Sequence, residues 1–252
     1  MLLEADSGYL RGAGIIKGCV EKRWGPKKQG MQKRKFKKGG FYHLFNRGVD
    51  NRTIFVSQED YDRFEAYLYL LNDAGSTRAA NFFVGKRYET IFNSPRAAQL
   101  VALGAYSLLP TCFHLVVTPL LDDGVSKFMQ KITTAYTMYF NEKYQRNGSL
   151  FGGTYKAQHS TSDDHLKYIY ALTHLAPAQL FNNNWHEASA IELELLARSL
   201  SDYRYSSVAE YMCGKHIITT PTYFPRFISR AKDMETYIRY LTYNRKKYPK
   251  FC

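Results

Sequence analysis

The chain has 252 residues, 45% of them hydrophobic and 15% aromatic, and a formal charge of +13. That is enough apolar material for one large domain with an appendage, yet no run approaches the roughly 18 consecutive apolar residues of a membrane span. The four cysteines, Cys19, Cys112, Cys213 and Cys252, form no C-x-x-C pair, which argues against a disulfide framework or zinc cage and for reduced thiols in a cytosol.

The N-terminus, "MLLEADSGYL", carries acids and lacks the basic-then-apolar order of a signal peptide. Residues 1–40 hold eleven Lys and Arg against three Asp and Glu, a net +8. This Gly-rich stretch is expected to be a disordered basic extension, and Met31 stands where a shorter chain could begin. Its basic run, "KRKFKKGG" (33–40), precedes a predicted strand, "FYHLFNR" (41–47), that Gly48 ends. "SQEDYDRFEAYLYLLN" (57–72) has Ser57 as N-cap and Asp60 at N3, with Tyr61, Phe64, Leu68 and Leu71 at helical spacing. Residues 74–99 read as either a hairpin or a loop insertion. Two strands, 100–109 and 112–119, meet at Pro110. A long helix follows to Gly148, with Phe128, Ile132, Ala135, Tyr136 and Tyr139 as its core stripe. Residues 150–160 read as a strand with a Gly pair, a candidate bulge. A further helix starts at Thr161–Ser162 and stops before Pro177. Residues 181–252 read as mostly helical, broken at Gly214 and Pro221, and end in a second basic run, "RKKYPKF" (245–251).

The charge sits at the two ends. Residues 230–252 carry seven basic against two acidic side chains, a net +5, whereas residues 41–229 balance to zero. Basic ends interleaved with aromatics suit contacts to a phosphate backbone, which need charge but little sequence information. The named candidates are Lys33, Arg34, Lys35, Lys37, Lys38, Arg47, Arg245, Lys246 and Lys247; the alternative is a solvated tail with no specific role. The interleaved strands and helices predict an α+β fold, with helices packed over an antiparallel sheet.

Five segments together resemble the single-tyrosine HUH transposases, in the insertion-sequence-200-like branch that includes the REP-associated tyrosine transposases: "YHLFNRGVDNRTIF" (42–55), "YSLLPTCFHLVV" (106–117), "GVSKFMQKITTAYTMYFNEKYQRNGSLFGGTYKA" (124–157), "THLAPA" (173–178) and "DYRYSSVAEY" (202–211). The resemblance implies a ferredoxin-like sheet in a core of residues 41–180, followed by a helical C-terminal region over 181–252. It also implies single-stranded or hairpin DNA as ligand, a monomer or homodimer, and a location with the nucleoid in the cytoplasm. In active members a tyrosine hydroxyl attacks a phosphodiester, and Mg²⁺ or Mn²⁺ polarises the phosphate. That ion is held by a His-x-His strand pair and by a polar residue four positions after the tyrosine.

Mapped residue by residue, the His-x-His pair becomes Cys112-Phe113-His114, the tyrosine position becomes Leu172, and the third-ligand position becomes Ala176. A thiol is a poor ligand for a hard cation. Cys112 and His114 therefore read as the remains of a metal site, with Cys112 packed as a small apolar residue and His114 a hydrogen-bonded sheet histidine. No cofactor is expected in that case. His43, His165 and His174 lie near enough to be considered as ligands, but their spacing does not demand it, and Tyr170 reads as core. Tyr168, one turn before Leu172 on the same helix face, is the substitute nucleophile if activity survives, with Mg²⁺ or Mn²⁺ then required. Three functions stay open: a DNA-binding protein without strand cleavage, an active transposase or nickase using Tyr168, and a protein-interaction module on the same fold.

Overall fold

The structure is a computed structural model that describes residues 35–75, 88–182, 184–200, 203–229 and 234–244. Strand β1 (Tyr42–Arg47) is the alternating "YHLFNR" segment. It leads into helix α1 (Gln58–Leu70), which opens as the sequence predicts. The Asp60 carboxylate at N3 accepts from the backbone N–H of Ser57 at 2.9 Å and of Val56 at 2.8 Å, satisfying two donors that precede the helix. Of the ambiguous stretch 74–99, the described part holds one short helix, α2 (Tyr88–Ile91). The Asn72 side chain ties the end of α1 to the next strand: its Oδ1 accepts from Leu100 N and Val101 N, and its Nδ2 donates to Val101 O.

Strands β2 (Val101–Leu109) and β3 (Cys112–Pro119) form a hairpin, helix α3 (Gly124–Lys143) returns the chain, and β4 (Lys156–His159) completes the sheet. The order is β2-β3-β1-β4, and every neighbouring pair is antiparallel. A βαββαβ path with that order is the ferredoxin-like arrangement. One sheet face, with Leu44, Leu103, Phe113, Leu115 and Val117, packs against Phe64 and Leu68 of α1 and Phe128, Ile132 and Tyr136 of α3.

Two boundaries differ from expectation. Helix α3 stops at Lys143 rather than running to Gly148; Gln145 turns left-handed at φ 48° and Asn141 Nδ2 donates to Gly148 O, so the chain folds back on its own last turn. The strand expected over 150–160 is reduced to Lys156–His159, because Gly153 adopts φ +128°, outside the β region, and Phe151 makes only an isolated bridge to Gly48.

Helix α4 (Asp163–Leu175) is capped by Ser162, whose Oγ accepts from His165 N. It lies on the opposite face of the sheet, over β2 and β3. There Leu166, Ile169 and Tyr170 meet Ala102, Ala105 and Val116, with Tyr211, Phe224 and Ile228 closing the cluster. Gly104, where the β2–β3 register slips, permits this approach, since a Cβ there would overlap the Tyr170 hydroxyl. The rest is helical as expected: α5 (Ala190–Leu200), α6 (Val208–Cys213), α7 (Arg226–Ser229) and α8 (Met234–Asn244), with Gly214 ending α6 at φ 65° and Pro221 opening a 3-10 turn. Helix α8 packs on α4. The "YRYSS" motif runs along the outer edge of β2: Leu108 N donates to Tyr205 O and Ser207 N to Tyr106 O. That pairing covers an edge that would otherwise be exposed. All described residues fall in one compact unit. Among them, no helix is long and apolar enough to cross a membrane.

Candidate nucleic-acid interface

The sheet face beneath α4 carries the candidate site. Because β side chains alternate and paired residues share a face, the strand registers arrange it in three rows. The first row is Leu109, Cys112 and Arg47; the second is Ser107, His114, Phe45 and Lys156; the third is Ala105, Val116, His43 and Gln158. In the second row exposure rises steadily from β2 to β4. Ser107 and His114 are buried, Phe45 is half-buried and Lys156 is exposed. Helix α4 covers the β2–β3 half and, through His165, reaches Gln158 on β4; His43 on β1 is buried, and the open part of the face is the quarter that holds Phe45, Arg47 and Lys156.

In the covered half, Cys112 and His114 point together as their i, i+2 spacing requires, with Sγ 3.7 Å from Nε2. The other nitrogen of His114, Nδ1, lies 3.1 Å from His43 Nε2, and one of the two donates to the other. Burial, followed by the neighbouring imidazoles of His114 and His165, holds His43 well below its ordinary pKa, so it is neutral at pH 7. Ala176 also reaches this spot, where its methyl group packs with Leu109 and Cys112 in a small buried cluster. Leu172 is 3% exposed and Tyr168 2%. Burial pushes the Tyr168 phenol up to about 12, so the hydroxyl stays protonated at neutral pH.

The donor set does not fit the hard divalent ion that the resemblance implies. Mg²⁺ and Mn²⁺ take oxygen ligands in near-octahedral shells. Here a thiol and an imidazole stand over an alanine methyl, and among the described residues no three His, Cys, Asp or Glu side chains converge as a metal-holding group. The other histidines considered are engaged elsewhere. His165 Nε2 lies 3.2 Å from Gln158 Nε2 and its Nδ1 accepts from Thr161 N, while His174 Nε2 lies 2.8 Å from Ser207 Oγ.

In the open quarter, Phe45, Arg47 and Lys156 lie together. Phe45 is held in a triangle of rings with His43 (centroids 5.1 Å apart, planes 24° apart) and His114 (5.9 Å, 16°). Lys156 Nζ lies 5.8 Å from the Phe45 ring centre. Arg47 Nη1 donates to Asn51 Oδ1 at 3.0 Å. The strands turn no carboxylate to this face among the described residues.

The basic residues singled out from sequence do not form one patch. Lys33, Arg34, Arg245, Lys246 and Lys247 lie outside the described residues. Lys35, Lys37 and Lys38 are exposed before β1, with Phe36 edge-on to Tyr42 at 4.9 Å and Lys38 paired to Asp122 at 3.4 Å. Arg47 is at the far end of the same strand, about 17 Å away at the rise of a β-strand. Sequence reasoning passed over Phe45 and Lys156. The signal was the alternation in "YHLFNR", which puts Phe45 on the face of His43 and Arg47, but the strand that brings Lys156 alongside is a tertiary fact.

No protein-family model matches the chain, and none of the curated proteins matches it. Among solved structures it is similar to a REP-associated tyrosine transposase bound to a REP hairpin, with a TM-score of 0.45 and 11% identity over 76% of this chain and 91% of that one.

Proposed function

We propose that the protein binds DNA, as a hairpin or a single strand, without cutting it. One observation carries the non-cleaving half of this reading: Ala176 and Leu109 pack on Cys112 in a buried cluster where cleavage would need a ligand and an approaching phosphate. In-line attack requires a hydroxyl within about 3–3.5 Å of the reacting atom. Leu172 has none, and the hydroxyl of Tyr168 belongs to a side chain 2% exposed in the core. Support for binding comes from the net charge of +13, concentrated toward both ends, and from the open Phe45, Arg47 and Lys156 surface. In this reading residues 1–40 and 245–252 contact phosphates, residues 41–180 supply the sheet, and residues 181–252 seal its second face.

The test is incubation with labelled hairpin and single-stranded DNA plus Mn²⁺, followed by a native titration across salt and a denaturing gel. Binding that weakens steeply with salt, with no SDS-resistant band, is the expected result. An SDS-resistant adduct that disappears in Tyr168→Phe overturns the non-cleaving reading. Affinity indifferent to salt overturns the nucleic-acid reading and favours a protein-interaction surface.

A further inference from the structure

We infer that the open quarter of the sheet is a base-stacking subsite for single-stranded nucleic acid: Phe45 takes the face of an unpaired base, and Arg47 and Lys156 hold its flanking phosphates. The inference rests on the reading of the protein as a nucleic-acid binder and specifies where and in what form the ligand is held. The first argument is the placement of an aromatic ring. Phe45 is half-buried on a strand whose same-face neighbours are polar or basic, and it borders an exposed edge strand rather than the apolar cluster under α4. The buried rings of His43 and His114 fix its orientation from behind. A ring already held in place loses little freedom when a base covers it, and stacking tolerates any base because each presents a π-face.

The second argument is charge. Lys156 directly opposes Phe45 across the β1–β4 pair, and Arg47 follows on the same face two residues along. An aromatic flanked by two cations, with no strand carboxylate on that face among the described residues, complements a phosphodiester chain and disfavours an acidic peptide that lacks a planar group. The third argument is space. Gly152 and Gly153 border Arg47, whose carbonyl accepts from Gly152 N, and a Cβ at Gly153 would meet nothing within 4 Å. The edge beside Arg47 is therefore open at Gly153. Within duplex DNA every base face is stacked except at the terminal pairs, so the subsite favours unpaired nucleotides, such as a hairpin loop or a single-stranded flank.

The experiment uses the full chain and measures fluorescence anisotropy with a twelve-nucleotide oligo-dT and with a blunt duplex of mixed sequence, across salt. Phe45→Leu keeps apolar bulk and removes the ring. It is expected to raise Kd for oligo-dT about five- to one-hundred-fold, to leave the slope of log K against log salt unchanged, and to leave duplex binding unchanged; Phe45→Trp should retain or tighten binding. Lys156→Gln and Arg47→Gln should each make the slope shallower by about 0.7. Should Phe45→Leu shift the unfolding midpoint, a 5-iodouracil oligonucleotide photocrosslinked to the wild type supplies the second readout, with the peptide containing Phe45 expected to carry the label. Oligo-dT binding unaltered in Phe45→Leu, equal losses for oligo-dT and duplex, or a crosslink confined to other peptides overturns the subsite and leaves the DNA-binding reading standing. A wild type with no salt-dependent binding to either probe overturns both.

Discussion

Glu65, in the middle of α1, is 5% exposed and accepts hydrogen bonds from Tyr88 Oη and Tyr106 Oη, each at 2.9 Å. Burial raises its carboxyl to about 7 from the ordinary 4.5; the two tyrosines and Arg204 act in the opposite sense without cancelling it. An acid whose folded pKa lies above its unfolded one binds more protons when folded, so stability falls as pH rises between the two values. This contribution is therefore complete below about pH 4.5 and gone above about pH 7. At about 1.4 kcal/mol per pH unit, the gap corresponds to about 3 kcal/mol. Glu65→Gln imitates the protonated acid, offering one acceptor and one donor to the tyrosine hydroxyls. Urea denaturation of both proteins from pH 4.5 to 8 isolates the group, since every other titration cancels in the difference. Similar stabilities are expected near pH 4.5, with the variant gaining up to about 3 kcal/mol over the wild type by pH 8. Parallel curves across the range would refute the claim that Glu65 is neutral in the fold.

Asp60 is fully buried and accepts from Val56 N, Ser57 N, Tyr139 Oη, Tyr144 Oη and Lys143 Nζ; Asp60→Ala removes the acceptor these five donors share, leaving Lys143 its bonds to Ser57 and Glu59, and is expected to cost about 3–5 kcal/mol in chemical denaturation, a loss under about 1 kcal/mol showing the hub to be dispensable. Burial lowers His174 to about 3, so the folded chain refuses a proton that the unfolded chain accepts. Stability should therefore fall by about 2 kcal/mol between pH 7 and pH 5 on its account, and its imidazole NMR signals should not titrate above pH 4. Leu172→Tyr forces a ring into a packed helix interface and should cost about 1–3 kcal/mol, so Cys112→His with Leu172→Tyr and Ala176→Asn should lower the thermal midpoint and form no DNA adduct. An adduct in that triple variant would mean that the covered half of the sheet opens to substrate.

Much of the fold is legible because local chemistry and global path agree. Ser57 and Asp60 announce α1, the alternation in "YHLFNR" announces β1, and the spacing from Phe128 to Tyr136 announces the buried stripe of α3. The i, i+2 pairing of Cys112 with His114 on one face also follows from strand geometry alone. What escaped notice depends on contacts distant in sequence. The reduction of β4 to four residues turns on the left-handed angle of Gly153. The burial of α4 turns on α8, which packs against it, and on Ser207, whose Oγ lies 2.8 Å from His174 Nε2. Nothing within "DYRYSSVAEY" signals that it lies along β2. The pairing of Lys156 with Phe45 requires the sheet order, which periodicity does not specify.

The two halves of this sheet face have opposite chemistry, and the difference follows from one placement. Helix α4 crosses β2 and β3, so the side chains beneath it are buried, and most of them are apolar or hydrogen-bonded, Ser107 Oγ being an exception. Cys112 meets an alanine, and His114 shares a hydrogen bond with neutral His43. Leu109 and Ala176 pack on Cys112 there, so carbon closes over the thiol. The N-terminal end of the helix reaches His43 and Gln158 of β1 and β4 but not the corner beyond them, where Lys156 is exposed, Arg47 is partly exposed and Phe45 is left between solvent and two buried imidazoles. On the proposed reading, ligand contact without bond cleavage follows from this placement: the open surface offers two cations and a ring, whereas Tyr168 is 2% exposed.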